Sequence, residues 1–315
     1  MWYEYVFWIS IGLIILVLIT SFVCFMMTFY VGKRKIFKEG EYDLPPGKEY
    51  EPYYDNMRTW IDKIRSMPHE DFEVKSFDGL TLKAKYYEIK KGAPIEIMIH
   101  GYKGNAERDM NGGVFRAFSV GRNALLIDQR ASGSSEGHVI TFGIKERKDV
   151  LKWIDLLIEK FGKDVRIILT GISMGAATAI MTTKENIPSN VIGVLADCGF
   201  SSQKEIISKI IKQMKLPPKI FYQFVKLGGL IFGRFNLDEL PPIEACKTSP
   251  VPIIFFHGDI DGFVPSYMSE DMAKACTNKY KLVIIPGADH GLAYPHSPDL
   301  YVSKVKEFQI ECNEK

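Results

Sequence analysis

The chain has 315 residues with 40 Lys and Arg against 38 Asp and Glu, a formal net charge of +2. That balance argues against nucleic acid as the main ligand. With 46% hydrophobic and 25% charged residues and no low-complexity tract, the composition supports a full globular core and excludes a disordered or collagen-like chain. The five cysteines, Cys24, Cys198, Cys246, Cys276 and Cys312, are widely spaced without a CxxC pair, so neither a disulfide framework nor a zinc knuckle is expected.

The first element is apolar. The 28 residues from Tyr5 to Gly32 carry no charge, and as a helix they extend about 42 Å at 1.5 Å per residue, more than the roughly 30 Å of a bilayer's hydrocarbon layer. A cleaved signal peptide needs a basic start, a shorter apolar stretch and a small-x-small cleavage site. Here the start is MWYEY, no such site follows, and Phe22 and Val23 ahead of Cys24 fit a lipoprotein box poorly. The expectation is therefore a retained transmembrane anchor over residues 1–35, with Trp2, Tyr3, Tyr5, Trp8 and Tyr30 as interfacial aromatics. Lys33, Arg34, Lys35 and Lys38 follow the span while Glu4 precedes it, so the positive-inside rule puts the C-terminal bulk in the cytoplasm.

Residues 36–70 are polar, aromatic and Pro-containing, and read as a juxtamembrane connector with a short helix around 57–66. From Phe72 the pattern changes. FEVKSF and LTLKAKYYE alternate around Asp78-Gly79, which predicts two antiparallel strands and a turn. Six short apolar runs follow without alternation: 94–100, 123–128, 165–170, 191–197, 251–257 and 280–286. Strands covered on both faces read this way, and helix-like stretches between them, most clearly 145–161, predict an α/β domain over 71–315 with a doubly wound, mostly parallel sheet. An inserted helical segment at about 201–240 interrupts the alternation. Between Ser201 and Asn236 its lysines, 204, 209, 212, 215, 219 and 226, with Arg234, stand against Glu205, so it reads either as a basic amphipathic lid or as an ordinary helical excursion with a solvated face.

The pattern GxSxG occurs twice, around Ser135 and around Ser173. A nucleophile elbow needs a sharp turn directly between a strand and a helix, with small neighbours. Ser173 follows the 165–170 run and precedes Ala176, Ala177 and Ala179, whereas Ser135 lies in a stretch that opens no helix and reads as loop. A serine hydroxyl needs a base. Of six histidines, His290 in GADHG follows the last strand, where chain order places the base, and His296 is its near rival. The orienting acid belongs after the 251–257 strand, where Asp259 and Asp261 compete; Asp289 is too close to His290 in sequence to orient it. Oxyanion donors are expected from the backbone N–H of Met174, at the start of the helix after Ser173, and of Tyr102, in the loop HGYKGN.

Together HGYKGN, DQRASGSSEG, GISMG, HGDIDGFVP and GADHG, in that order, resemble the α/β-hydrolase superfamily, and in particular its compact, membrane-anchored bacterial branch, over roughly Phe72 to Phe308. The resemblance implies Ser173 as nucleophile, His290 as base and Asp261, rather than Asp259, as the acid. It also implies oxyanion amides at Tyr102 and Met174, a short cap at 201–236, and the Ser135 copy as part of a DxRxxGxS loop. The expected activity is hydrolysis of carboxylic ester, thioester or related acyl bonds in a small-molecule or lipid substrate, with no cofactor and no metal. An idle scaffold of the same fold and an aminopeptidase-type amide hydrolase are the alternatives. Neither the natural substrate nor the oligomeric state is legible.

Overall fold

The computed structural model describes residues 1–34, 37–38 and 40–313. Lys35, one of the four expected flanking cations, and the Cys312 side chain lie outside the described residues. The chain opens with helix α1 (Trp2–Thr28), long and apolar enough to cross a membrane and mostly exposed. Helix α2 (Tyr54–Ser66) follows, then β1 (Glu70–Lys75), β2 (Thr81–Tyr87), β3 (Ile95–Ile99), α3 (Ala106–Ser119), β4 (Asn123–Ile127), α4 (Glu146–Phe161), β5 (Ile167–Ile172), α5 (Met174–Thr182) and β6 (Val191–Asp197). The second half runs α6 (Gln203–Gln213), α7 (Pro218–Ile231), α8 (Pro242–Cys246), β7 (Ile253–Gly258), α9 (Tyr267–Ala275), β8 (Tyr280–Ile285), α10 (Ala293–His296) and α11 (Pro298–Asn313).

All eight strands form one sheet in the order β1-β2-β4-β3-β5-β6-β7-β8. β1 pairs with β2, and β2 with β4, antiparallel; the remaining pairs are parallel. The apolar runs are continuous because both faces are covered. On β3, Ile95, Ile97 and Ile99 pack with Trp153 of α4 and Ile180 of α5, while Met98 faces Met110 and Val114 of α3. Tyr301, Val305 and Phe308 of α11 cover Ile254 and Phe256 of β7 on that second face. Burying such side chains stabilises by about 1.5–3 kcal/mol each. The order places the C-terminal ends of β3, β5, β6, β7 and β8 along one edge, where α/β sheets bind ligands.

Helices α6 and α7 bury Ile206, Ile207, Ile211, Tyr222 and Val225 against Phe142, Phe200 and Met174 over that edge. Their lysines are engaged as well as solvated. The Lys209 ammonium donates to the carbonyls of Gly262 and Phe263 at 2.7 and 2.6 Å, and Lys226 pairs with Asp238 at 2.6 Å. The end of α1 docks on the same cluster: Phe25 and Phe29 are buried, and the Ile140 amide donates to the Phe29 carbonyl at 2.9 Å.

Candidate active site

β5 ends in a turn only small residues permit. Ser173 sits at φ 54°, ψ −119°, a strained conformation for a residue with a side chain. A methyl group on Gly171 would lie 2.1 Å from the Gly175 carbonyl oxygen, and one on Gly175 would lie 2.0 Å from the Ile99 carbonyl oxygen, so α5 can leave β5 this sharply only with glycine at both positions. The Ser173 amide donates to the Asp197 carbonyl at 2.8 Å, tying the turn to β6.

Three side chains from distant segments meet here. Ser173 Oγ and His290 Nε2 are 3.0 Å apart, and His290 Nδ1 is 2.7 Å from Asp261 Oδ2. The other Asp261 oxygen accepts from the amides of Phe263 and Val264 at 2.9 and 2.7 Å. Burial pushes the Asp261 carboxyl up, but hydrogen bonds and charge from His257 and His290 outweigh it and hold the group well below the usual carboxylate range. The Phe263 ring lies 5.1 Å from the imidazole of His290.

Neighbouring candidates have other partners. Asp259 Oδ1 accepts from the Gly287 amide at 2.7 Å, and Asp289 Oδ1 accepts from its neighbour's amide and from Gly262 at 3.0 Å, so both carboxylates staple loops. His296 Nδ1 is 2.7 Å from the Tyr53 hydroxyl. His100 is fully buried, and its Nε2 accepts from the Gln129 amide at 3.1 Å. Ser135 is also fully buried; its hydroxyl donates to the Asp128 carbonyl at 2.6 Å and accepts from the Lys83 amide at 2.8 Å.

The two loops expected to supply amides lie against the serine. Met174 opens α5, so its N–H has no intrahelical acceptor. Gly101 is close enough that an added methyl would stand 3.5 Å from Ser173 Cβ, and the Gly101 amide donates to Asp109 Oδ2 at 2.9 Å. Beside it, the Tyr102 hydroxyl donates to the Thr28 carbonyl at 2.6 Å, joining this loop to the end of α1.

Ser173 and His290 open onto a cavity of about 270 Å³. One wall is Pro45, Pro46, Glu49 and Tyr50, from the stretch read as a connector, with Met57 of α2 behind them. Burial, chiefly, raises the Tyr50 hydroxyl far above its ordinary value, so it stays protonated. Reading the sequence did not single out these residues, which carry no motif. It also passed over His257, the last residue of the 251–257 run. That ring is fully buried, with Nε2 3.2 Å from Asp261 Oδ2 and 2.8 Å from the Val264 carbonyl, and Nδ1 2.7 Å from the Ser269 hydroxyl. The spacing His257-x-x-x-Asp261 was the available signal.

The stretch 97–231 matches the family model for the alpha/beta hydrolase fold. Esterase Pf2001 of Pyrococcus furiosus superposes with a TM-score of 0.62 at 24% identity, covering 79% of this chain and 93% of that one. This chain has the α/β-hydrolase fold. Est1E of Butyrivibrio proteoclasticus, solved with ferulic acid bound, superposes on this chain with a TM-score of 0.59 at 20% identity over 78% of this chain and 100% of its own. Among relatives by sequence, the uncharacterized protein YqkD of Bacillus subtilis (strain 168) is 23% identical over 262 residues, 82% of this chain and 85% of YqkD. YfhR of Escherichia coli (strain K12) is 22% identical over 194 residues, 60% of this chain and 61% of YfhR.

Proposed function

We propose that this chain, with its α/β-hydrolase fold, is a membrane-anchored serine hydrolase of acyl bonds, working through Ser173, His290 and Asp261. The observation that carries the reading is the continuous chain of contacts from Ser173 Oγ through the imidazole to a carboxylate held ionised, at 3.0 and 2.7 Å. Asp261 accepts a hydrogen bond from the Nδ1–H of His290 and stays ionised, which leaves Nε2 free to accept the hydroxyl proton. As that proton moves to Nε2, Ser173 Oγ bonds to the substrate's carbonyl carbon and the carbonyl oxygen becomes an oxyanion. The amides of Met174 and Tyr102 are offered to that oxygen. Such preorganised donors are worth about 3–4 kcal/mol when one is removed.

Collapse breaks the bond to the leaving group, which takes the proton from His290, and an acyl ester remains on Ser173. Water then gives a proton to Nε2 and attacks the ester; a second collapse returns the proton to Ser173 and frees the acid. Every step uses side chains and amides of this chain. In the same reading α1 spans the bilayer, the basic flank keeps the catalytic domain cytoplasmic, residues 36–70 connect and line the pocket, and 201–240 form a lid. The cavity's apolar wall and its nearness to α1 support a small acyl substrate or a lipid one.

The test is ester turnover by the full chain in detergent micelles. Ser173→Ala is expected to lower kcat on p-nitrophenyl esters by on the order of 10⁶-fold, with His290→Ala losing a comparable amount. Ester turnover undiminished in both variants would refute the assignment.

A further inference from the structure

We propose that the tip of the lid helix, Leu230 to Gly233, is a second membrane contact, inserted into the same leaflet that α1 crosses. The inference rests on α1 as a membrane span and extends that reading to the end of a segment the sequence offered as a basic amphipathic lid or an ordinary helical excursion. Helix α1 has 27 residues and so measures about 40 Å at 1.5 Å per residue, roughly 10 Å more than a hydrocarbon layer. The surplus does not hang free. Ser21, Phe25 and Phe29 are buried against the domain.

α7 is what buries them. An added methyl at Gly228 would lie 2.4 Å from the Ser21 carbonyl oxygen and 3.0 Å from Phe25 Cβ, so the two helices touch backbone to backbone. Small residues at such a crossing are how helices pack within a bilayer. The Phe232 ring stands 5.1 Å from Phe22 and 5.7 Å from Phe25, while Phe235, after the turn, lies 5.0 Å from Phe29. The end of α7 therefore climbs beside α1 to the level of Phe22, and the chain turns back through Gly233 and through Arg234 at φ 53°. Phe22 precedes Thr28 by six residues, about 9 Å along a helix.

The climbing end is apolar where it is exposed. Leu230 is 54% exposed, Ile231 43% and Phe232 37%, and the Phe232 ring meets that of Phe22, itself exposed on α1. A lone exposed leucine needs no explanation, but a run of exposed apolar residues does, and this one meets exposed α1 at Phe22. Whatever covers Phe22 covers Phe232 too, which selects the bilayer. The charges agree: the exposed Arg234 side chain follows the tip directly, and Lys33 and Arg34 follow α1, cations suited to anionic headgroups. With two contacts the domain cannot swivel about α1, and the Tyr102 loop, bonded to Thr28, is held at the membrane surface.

The experiment places a tryptophan at the tip of the full chain, Ile231→Trp and separately Leu230→Trp, both at exposed positions. Each protein is reconstituted into phosphatidylcholine and phosphatidylglycerol vesicles, with and without bromine on the acyl chains. Emission of the unmodified protein, which carries Trp2, Trp8, Trp60 and Trp153, is subtracted. The expected result is that the added emission is lost in brominated vesicles and untouched by aqueous iodide. Quenching by iodide alone would put the tip in water and overturn the inference. Quenching by neither would put it under protein, a second copy included, and overturn it equally. Trp2 and Trp8 report on the anchor itself: if their emission survives brominated lipid, α1 does not span the bilayer and the inference falls with that reading. If they are quenched and the tip is not, only the inference falls.

Discussion

The same five-residue pattern occurs twice, and the two serines at its centres have opposite surroundings. Ser135 is fully buried, and both partners of its hydroxyl are backbone groups, the Asp128 carbonyl and the Lys83 amide. Ser173 stands on a strained turn at the end of a strand, faces an imidazole and borders a cavity. Glycines frame both, for different ends. At Gly133 an added methyl would strike the Asp128 carboxylate at 2.1 Å, so that glycine lets a loop close on an acid; at Gly171 and Gly175 glycine lets α5 approach β3 and β5. The motif specifies a tight turn, and the strand before it with the helix after it decides whether that turn exposes a hydroxyl or seals one.

Removing what surrounds Ser173 sharpens the contrast most. Asp261→Asn keeps the size of the side chain but favours the wrong His290 tautomer, and kcat on a soluble ester should fall about 10⁴-fold. A change below tenfold, measured in steady state, would mean the acid lies elsewhere. At the other serine the cost should be structural. Ser135→Ala leaves the Lys83 amide and the Asp128 carbonyl unsatisfied in a buried loop, which should cost about 1–3 kcal/mol of stability with kcat unchanged. A melting scan in detergent beside an ester assay reads both, and a large kcat loss at unchanged stability would break the comparison.

An effect that depends on pH concerns Asp197, whose backbone carbonyl anchors Ser173. Burial, partly opposed by the Tyr301 hydroxyl, raises its carboxyl from 3.8 to about 6. The folded protein thus holds a proton the unfolded chain has released, and stability falls as pH rises from about 4 to about 6. That rise caps the cost at about 3 kcal/mol. Asp197→Asn should therefore raise the melting temperature at pH 8 and leave it unchanged at pH 4. An equal gain at both would show that the carboxyl is ionised throughout.

Much of the fold was legible because a sheet covered on both faces needs uninterrupted apolar strands. Each of the six apolar runs overlaps a strand of the sheet, with ends displaced by two residues at most. Even β3 fits although Glu96 lies inside it, fully buried beneath Arg116 and Arg122 at 3.0 and 2.8 Å; burial pushes its carboxyl up, and the two guanidiniums pull it down to about 2. Ser173, His290 and the pair Asp259 and Asp261 could be brought forward because chain order and strand ends are linear properties. The wall formed by Pro45, Pro46 and Tyr50 could not, since it reaches the cavity through space and its residues show no period. Lys209 was invisible for the same reason: a lysine that braces the Asp261 loop reads like any solvated lysine on an amphipathic helix. The docking of α1 on Gly228 was hidden too, because an apolar span announces its length and not its neighbour.

Trypsin places the two serines on different peptides, 131–145 and 167–184, so the central claim reduces to one mass measurement. The full chain is treated with a fluorophosphonate, digested and mapped. The account predicts a single stoichiometric adduct on 167–184, located at Ser173 by fragmentation. An adduct on 131–145, or an active enzyme that carries no adduct on 167–184, would contradict it.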